Sequence, residues 1–115
     1  MKKEPFVFVG HMLEGIRNIQ QYVKGVSKEE FMANKEKTDA VIRNLEIVGE
    51  AAKNIHPSLT KRYPHISWRR LTGTRDVIIH HYFGIDLESI WKTIQEDLPL
   101  LEKQLMELQQ DLASS

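Results

Sequence analysis

Five residues with ionisable or hydrogen-bonding side chains lie within eight positions of the sequence. They are Arg75, Asp76, His80, His81 and Tyr82, in the stretch TGTRDVIIHHYFGID. A guanidinium group suits phosphate oxygens, and an imidazole can exchange a proton near neutral pH. Metal-independent RNA cleavage needs a base for the ribose 2′-hydroxyl, an acid for the leaving 5′-oxygen and a cation for the charged transition state. If these groups met in one cleft, they would supply what cleavage of RNA requires, because RNA carries its own nucleophile.

The apolar residues among these side chains predict a helix, and helical geometry limits which of the five can meet. Each residue turns about 100° around the axis, so Asp76 and His80 share a face, where the carboxylate can orient the imidazole. Arg75 and Tyr82 also share a face, whereas Arg75 and His80 lie about 140° apart. The long arginine side chain could bridge part of that gap. Two copies of the helix, packed across a two-fold axis, would bring both sets of groups into one cleft.

Each of these residues also has an ordinary structural explanation. An arginine followed by an aspartate, as in Arg75 and Asp76, is typical of a surface or inter-helix ion pair. His80 and His81 are adjacent and point in different directions, which makes them a poor metal chelate. Tyr82 is typical of a packing residue with its hydroxyl at the rim. We therefore expect no metal site and no cofactor.

Apolar stripes with helical spacing predict the elements that must position these residues. The longest stripes occupy residues 6–24, 35–55 and 87–112, and no stretch alternates like a strand. We expect one all-α domain over residues 1–115, an up-and-down bundle of four to five helices. The stripes by themselves are equally compatible with a monomer and with a homodimer.

Capping and breaking residues predict where several helices begin and end. Ser27 and Glu30 form the pattern of a capping box. Ser67 is placed to cap the helix that carries the chemical residues, which we expect to run to Gly84. Pro99 is expected to kink the last helix or divide it in two.

The charges are unevenly distributed, although the formal net charge is zero. Residues 51–82 hold six Lys/Arg against one Asp, whereas residues 83–115 hold two Lys/Arg against seven Asp/Glu. Four of the five histidines also lie in the positive segment. We expect a polyanion to bind there, although the same cations could simply form a solvated surface. The candidate RNA-binding residues are Lys61, Arg62, Arg69, Arg70 and His81.

The absence of cysteine excludes a disulfide framework, a thiolate metal site and a cysteine nucleophile. The apolar run in MKKEPFVFVGHMLEG is interrupted by His11 and Glu14 and is too short for a secretory signal. No other segment is apolar enough to span a bilayer. We therefore expect a soluble cytoplasmic protein without a membrane partner.

The spacing of Arg75, His80 and Tyr82 is the R-x-x-x-x-H-x-Y pattern, and the chain resembles the HepT-like toxins of the HEPN superfamily. The resemblance covers nearly the whole chain and implies a HEPN-like helical homodimer. It also implies a metal-independent RNA-cleaving site in the dimer cleft. The segments similar to the family, in the same order, are AVIRNLEIVGEAAKNI (40–55), YPHISWRRLTGTRDVIIHHYFGID (63–86) and IWKTIQEDLPLLEKQL (90–105).

The resemblance assigns roles to individual residues. It implies that Arg75 and His80 are the catalytic pair and that Tyr82 accepts AMP from an MntA-like nucleotidyltransferase antitoxin. Asp76 supports His80 where the family commonly has Asn, and it adds a negative charge to an RNA site. RNA is the expected substrate, and no DNA is expected. Two other functions stay open, a non-catalytic accessory or nucleotide-binding partner of a nucleotidyltransferase and a plain dimerisation module.

Overall fold

All secondary structure in the described part of the chain is helical, and the all-α prediction is confirmed. The structure is a computed structural model that describes residues 3–74 and 87–114. A π-helical turn, Thr93–Asp97, connects the last two helices. The helices are α1 (Lys3–Val23), α2 (Lys28–Ala33), α3 (Lys35–Lys53), α4 (Pro57–Arg62), α5 (Trp68–Gly73), α6 (Leu87–Lys92) and α7 (Leu98–Ser114).

Helices α1 and α3 form the largest helix–helix contact among the described elements. Asn18 Nδ2 donates to Asn44 Oδ1 at 3.2 Å, and a Cβ atom built at Gly15 would lie 2.7 Å from Val48 Cγ2. Asn18 in α1 contacts Asn44 in α3, and Gly15, earlier in α1, contacts Val48, later in α3. The two helices are therefore antiparallel. Gly15 permits their close approach, because any larger residue would overlap the side chain of Val48.

Helix α7 packs beside α1 and completes the core. Glu102 accepts hydrogen bonds from Arg17 and Gln20, while Leu112 lines the same pocket as Phe8, so α7 is also antiparallel to α1. The apolar stripes predicted for the three long helices are buried against one another, as the hydrophobic effect requires. Their buried apolar residues include Val9, Met12, Leu13, Ile16 and Ile19 in α1; Val41, Ile42, Leu45 and Val48 in α3; and Leu98, Leu101, Leu105 and Leu108 in α7.

The turn between α1 and α2 has the predicted local chemistry. Gly25 adopts a positive φ of 71°, a conformation that glycine tolerates, and α1 ends two residues before it. The Ser27 backbone N–H donates to Glu30 Oε1 at 3.0 Å and the Glu30 N–H donates to Ser27 Oγ at 3.1 Å, which confirms the capping box. These hydrogen bonds, the backbone one foremost, hold the pKa of Glu30 below its usual value.

Pro99 follows the π-helical turn that separates α6 from α7. A proline lacks a backbone N–H and its ring collides with the carbonyl four residues earlier in a regular α-helix. The Leu98 N–H donates to the Thr93 carbonyl, five residues back, so the turn is wider than an α-helical turn. The irregularity expected at Pro99 is therefore a π-helical turn just before the proline, and α7 continues from it to Ser114.

The helix that begins at Trp68 ends at Gly73, whereas the sequence predicted that it would continue to Gly84. Gly73 has a low helix propensity, and the Thr74 hydroxyl donates to the Leu71 carbonyl at 2.7 Å. Such side-chain bonds to the backbone compete with continued helix formation. No helix within residues 3–74 or 87–114 combines the length and the apolar character needed to cross a membrane.

Candidate functional site

The predicted site residues divide into two groups in the structure. Arg75, Asp76, His80, His81 and Tyr82 lie outside the described residues, so their arrangement stays a prediction. The other four candidates belong to the described part and are all exposed at the surface. They are Lys61 and Arg62 near the end of α4 and Arg69 and Arg70 in α5.

The exposed cations differ in their surroundings. Arg70 Nη1 lies 3.3 Å from Asp97 Oδ1, and this ion pair offsets the charge of Arg70. The Arg62 guanidinium carbon lies 5.6 Å from the centre of the Tyr63 ring, within the range of a cation–π contact. Lys61 and Arg69 have no ion-pair partner among residues 3–74 and 87–114. These two and Arg62 are therefore the cations best placed to meet an anion.

The segment that precedes the motif is bound along α7. The Tyr63 hydroxyl donates to Asp111, and Gln104 accepts from the Ser67 N–H at 3.1 Å and donates to the His65 carbonyl at 3.1 Å. The hydrogen bond to Asp111 raises the pKa of Tyr63 above its usual value of 10.0, because it stabilises the protonated hydroxyl. Residues 63–67 are thereby held against the last helix of the bundle.

Ser67 stands at the start of α5, as predicted, but its side chain makes no capping hydrogen bond. Trp68 instead anchors this turn, since its indole Nε1 donates to the Tyr63 carbonyl at 2.9 Å. The sequence predicts neither the hydrogen bond from Trp68 nor the two hydrogen bonds of Gln104, because the spacing of these residues does not match the repeat of a helix or a strand.

Both flanks of the motif segment are attached to the core. Thr74, directly before Arg75, is only 4% exposed. Leu87, which opens α6, packs against the core, and in the same helix the Trp91 ring lies 5.3 Å from the ring of buried Phe31. The bundle therefore supplies two fixed points between which residues 75–86 must connect.

A pocket that the sequence did not predict lies where the first turns of α1, the end of α3, α4 and the end of α7 meet. It has a volume of about 530 Å³, within the range of ligand sites. Its walls come from three separate parts of the chain, residues 4–8, 54–62 and 112, so no local pattern could have revealed it. The lining residues are Glu4, Pro5, Phe8, Asn54, Ile55, His56, Ser58, Leu59, Arg62 and Leu112.

The two histidines of the described segment 51–74 contact neighbouring residues. His56 caps α4, where its Nδ1 accepts the Ser58 N–H at 3.1 Å, and the His65 ring lies 6.3 Å from the Tyr63 ring. No group of three or more His, Cys, Asp or Glu side chains in the described ranges is arranged to hold a metal ion.

Comparisons with known proteins identify relatives over nearly the full chain. Thermococcus cleftensis has a protein named "probable ribonuclease HepT", 39% identical over 102 residues, or 89% of this chain and 93% of the relative. A candidate RNase of Caldanaerobacter subterraneus subsp. tengcongensis is 38% identical over 108 residues, or 94% of this chain and 96% of the relative.

A third relative, from Methanocaldococcus jannaschii, is named as both a gamma-glutamylcyclotransferase and a candidate RNase. It is 36% identical over 112 residues, which are 97% of this chain but 50% of that protein. No solved structure matches the chain with significance. The sequence profile of the family described as "Ribonuclease HepT-like" matches residues 12–108. The chain therefore belongs to the Ribonuclease HepT-like family, within the HEPN superfamily.

Proposed function

We propose that this protein is a metal-independent endoribonuclease that acts as the toxin of a cytoplasmic toxin–antitoxin pair. The observation that carries the proposal is the R-x-x-x-x-H-x-Y motif, at Arg75, His80 and Tyr82, in a chain of the Ribonuclease HepT-like family. Relatives similar over most of their length are named as ribonucleases, which supports the same activity here.

The reaction is an attack of the ribose 2′-hydroxyl oxygen on the adjacent phosphorus. His80 removes the hydroxyl proton, the P–O5′ bond breaks, and a protonated His80 supplies a proton to the departing oxygen. Arg75 binds the phosphate and stabilises the additional negative charge of the transition state. The products are a 2′,3′-cyclic phosphate end and a 5′-hydroxyl end.

The active site lies in the cleft of a homodimer. Helical geometry supports this assignment, because Arg75 and His80 of one helix do not share a face. Paired helices bring two arginines and two histidines into one cleft, so one histidine can act as the base while the other acts as the acid. Asp76 orients His80 in each copy.

The positively charged surface before the motif supports RNA as the substrate. Lys61, Arg62 and Arg69 are exposed, and they lie in the segment that leads to Arg75. Arg70 contributes less, because Asp97 already balances it. His81 adds a further contact, and DNA is not a substrate, since it lacks the 2′-hydroxyl that acts as the nucleophile.

Cleavage of purified RNA in the presence of a chelator tests the catalytic assignment. We expect Arg75→Ala and His80→Ala to lower the rate by about 100-fold or more, the range for a lost transition-state cation or general acid–base group. Arg43→Ala and His11→Ala are matched controls, because both residues are exposed and lie outside the motif. Unchanged cleavage by either motif variant would refute the assignment.

Silencing by modification is the second part of the proposal. The partner is an MntA-like nucleotidyltransferase that transfers AMP from ATP to the Tyr82 hydroxyl, with release of pyrophosphate. The added phosphate faces Arg75 on the same side of a helix and occupies its guanidinium. Incubation with the partner and ATP should add AMP mass to the wild-type protein and stop cleavage. Tyr82→Phe should gain no mass and stay active.

A non-catalytic accessory role is the competing function, and Asp76 is the residue that favours it. A carboxylate replaces the asparagine common in the family, which places a negative charge next to the phosphate-binding arginine. An accessory protein would gain AMP at Tyr82 but would never cut RNA. Under the proposed function, Asp76→Asn retains an oxygen that can orient His80 and should bind RNA more tightly.

A further inference from the structure

We propose that the pocket at the end of the bundle binds one unpaired nucleotide of the RNA substrate, at a distance from the cleavage site. This inference rests on the proposed function, because it assigns a place to a part of that substrate. The pocket lies between the first turns of α1, α4 and the end of α7, with a volume of about 530 Å³. Single-stranded RNA is recognised through bases that are turned out and stacked on aromatic side chains.

The pocket offers both surfaces that a nucleobase requires. Phe8 supplies an aromatic wall, and Pro5, Ile55, Leu59 and Leu112 form an apolar surround. A base placed against Phe8 would shield this surface from water while keeping its polar edge free to form hydrogen bonds.

Hydrogen-bonding groups also line the pocket. Asn54 Nδ2 already donates to the Glu50 carbonyl at 2.9 Å, which leaves its Oδ1 as an acceptor. His56 Nδ1 accepts the Ser58 N–H, so the neutral ring carries its proton on Nε2 and offers a donor. An acceptor and a donor among the lining residues can both engage the edge of a base.

The charge near the pocket suits the phosphate of the same nucleotide. Arg62 lines it, Lys61 is the preceding residue, and both side chains are exposed. No acidic residue occurs between Asn54 and Thr74. Glu4 is the one carboxylate among the lining residues, and Asp111, next to the lining residue Leu112, already accepts the Tyr63 hydroxyl. A guanidinium beside an apolar wall fits a nucleotide better than it fits a purely apolar ligand.

From Tyr63 to Arg70 the chain runs along α7, away from the pocket. Tyr63 is bonded to Asp111 near the pocket, and Arg70 to Asp97 near the start of α7. Fourteen helical positions separate these two aspartates, a rise of about 20 Å. Arg75 follows Arg70 by five residues, so the chain runs from the pocket towards the motif. Exposed Arg69 lies on this path, where it can hold the phosphates between the two sites.

Binding of a non-cleavable RNA tests the proposal without requiring catalysis. The probe is a fluorescein-labelled single strand of about eight nucleotides, within the site sizes of single-strand binding proteins, with every 2′-hydroxyl methylated. Fluorescence anisotropy gives Kd for wild type, Phe8→Leu and Arg62→Gln at one fixed salt concentration. The controls are Phe6→Leu, a 40% exposed phenylalanine of the same helix outside the pocket, and Arg43→Gln, an exposed arginine of α3.

We expect Phe8→Leu to raise Kd about fivefold or more, the lower end of the effect of losing one base stack. Arg62→Gln should raise Kd and should reduce the slope of log Kd against log salt by about 0.7, the value for one lost phosphate contact on a single strand. Both controls should bind like wild type. Circular dichroism and the denaturation midpoint identify any variant that has not folded. If Phe8→Leu does not fold, the Kd and the salt dependence of Arg62→Gln, a substitution at an exposed position, test the proposal.

Several results would overturn the assignment. Equal Kd values for wild type, Phe8→Leu and Arg62→Gln would exclude the pocket from RNA binding, even if the wild type cuts RNA and Arg75→Ala does not. Saturable binding of AMP alone, with no effect of either variant on the oligonucleotide, would assign the pocket to free nucleotides. Conversely, dependence on Phe8 and Arg62 in a protein that never cuts RNA would support the pocket and refute the proposed catalytic function.

Discussion

Two glycines of α1 provide a direct test of the packing between α1 and α3. A Cβ atom at Gly15 would lie 2.7 Å from Val48 Cγ2 and 3.3 Å from the Asn44 carbonyl oxygen, whereas a Cβ at Gly10 meets nothing within 4 Å. Both glycines lie inside the same helix, so replacing either by alanine gives a similar gain of about 1 kcal/mol in helix propensity. The comparison therefore isolates the effect of the close approach.

Gly10→Ala should raise the free energy of unfolding by about 0.5–1 kcal/mol. Gly15→Ala gains the same propensity term but must displace Val48, a fully buried and β-branched residue with little freedom to rotate. Overpacking of this kind costs about 1–3 kcal/mol. Gly15→Ala should consequently be less stable than Gly10→Ala by about 1–3 kcal/mol and, over most of that range, less stable than the wild type.

Urea denaturation at one fixed protein concentration measures these differences, since association would otherwise change the apparent stability. Val48→Ala removes the nearest atom, so most of the Gly15→Ala penalty should disappear in the Val48→Ala background. The contact with the Asn44 carbonyl persists there and limits the recovery. Equal stabilisation by Gly10→Ala and Gly15→Ala would show that α1 and α3 are not in tight contact at this point.

Two further predictions concern the segment before the motif. Tyr63→Phe removes the hydrogen bond to Asp111 and should lower the free energy of unfolding by about 1 kcal/mol. Because the folded pKa of Tyr63 lies above the usual 10.0, this stabilisation is complete below pH 10.0 and is lost as the pH rises through the raised pKa. Urea titrations that show the two proteins already equal at neutral pH would contradict this. In RNA-binding titrations, Arg69→Gln should weaken affinity more than Arg70→Gln, since Asp97 already offsets Arg70; equal losses would mean that the ion pair opens when RNA binds.

The local pattern of the sequence was sufficient for the helical framework. The stripes of α1, α3 and α7 are buried as predicted, because a helix with one apolar face must cover it, whatever its partner is. The capping box at Ser27 was also predictable, since all its atoms lie within four residues. Gly73 and Thr74 show the limit of this reasoning. The apolar residues on both sides of them predict one continuous helix, whereas α5 ends at Gly73.

For the candidate site, the sequence by itself determined the residue types, their spacing and the positive charge of the segment around them. Helical periodicity also indicated that Arg75 and His80 need a second helix. Family membership follows from the same string of residues, without any coordinates.

The tertiary structure decided which charges stay free and which surfaces meet. Asp97 pairs with Arg70, Gln104 bridges two backbone groups of residues 65 and 67, and Gly15 sets the distance between two helices. The pocket beside Arg62 likewise forms from three distant segments. These features depend on pairs of positions that only folding brings together. Helical periodicity predicts which face of a helix a residue lies on, but it does not predict which residue of another helix packs against that face.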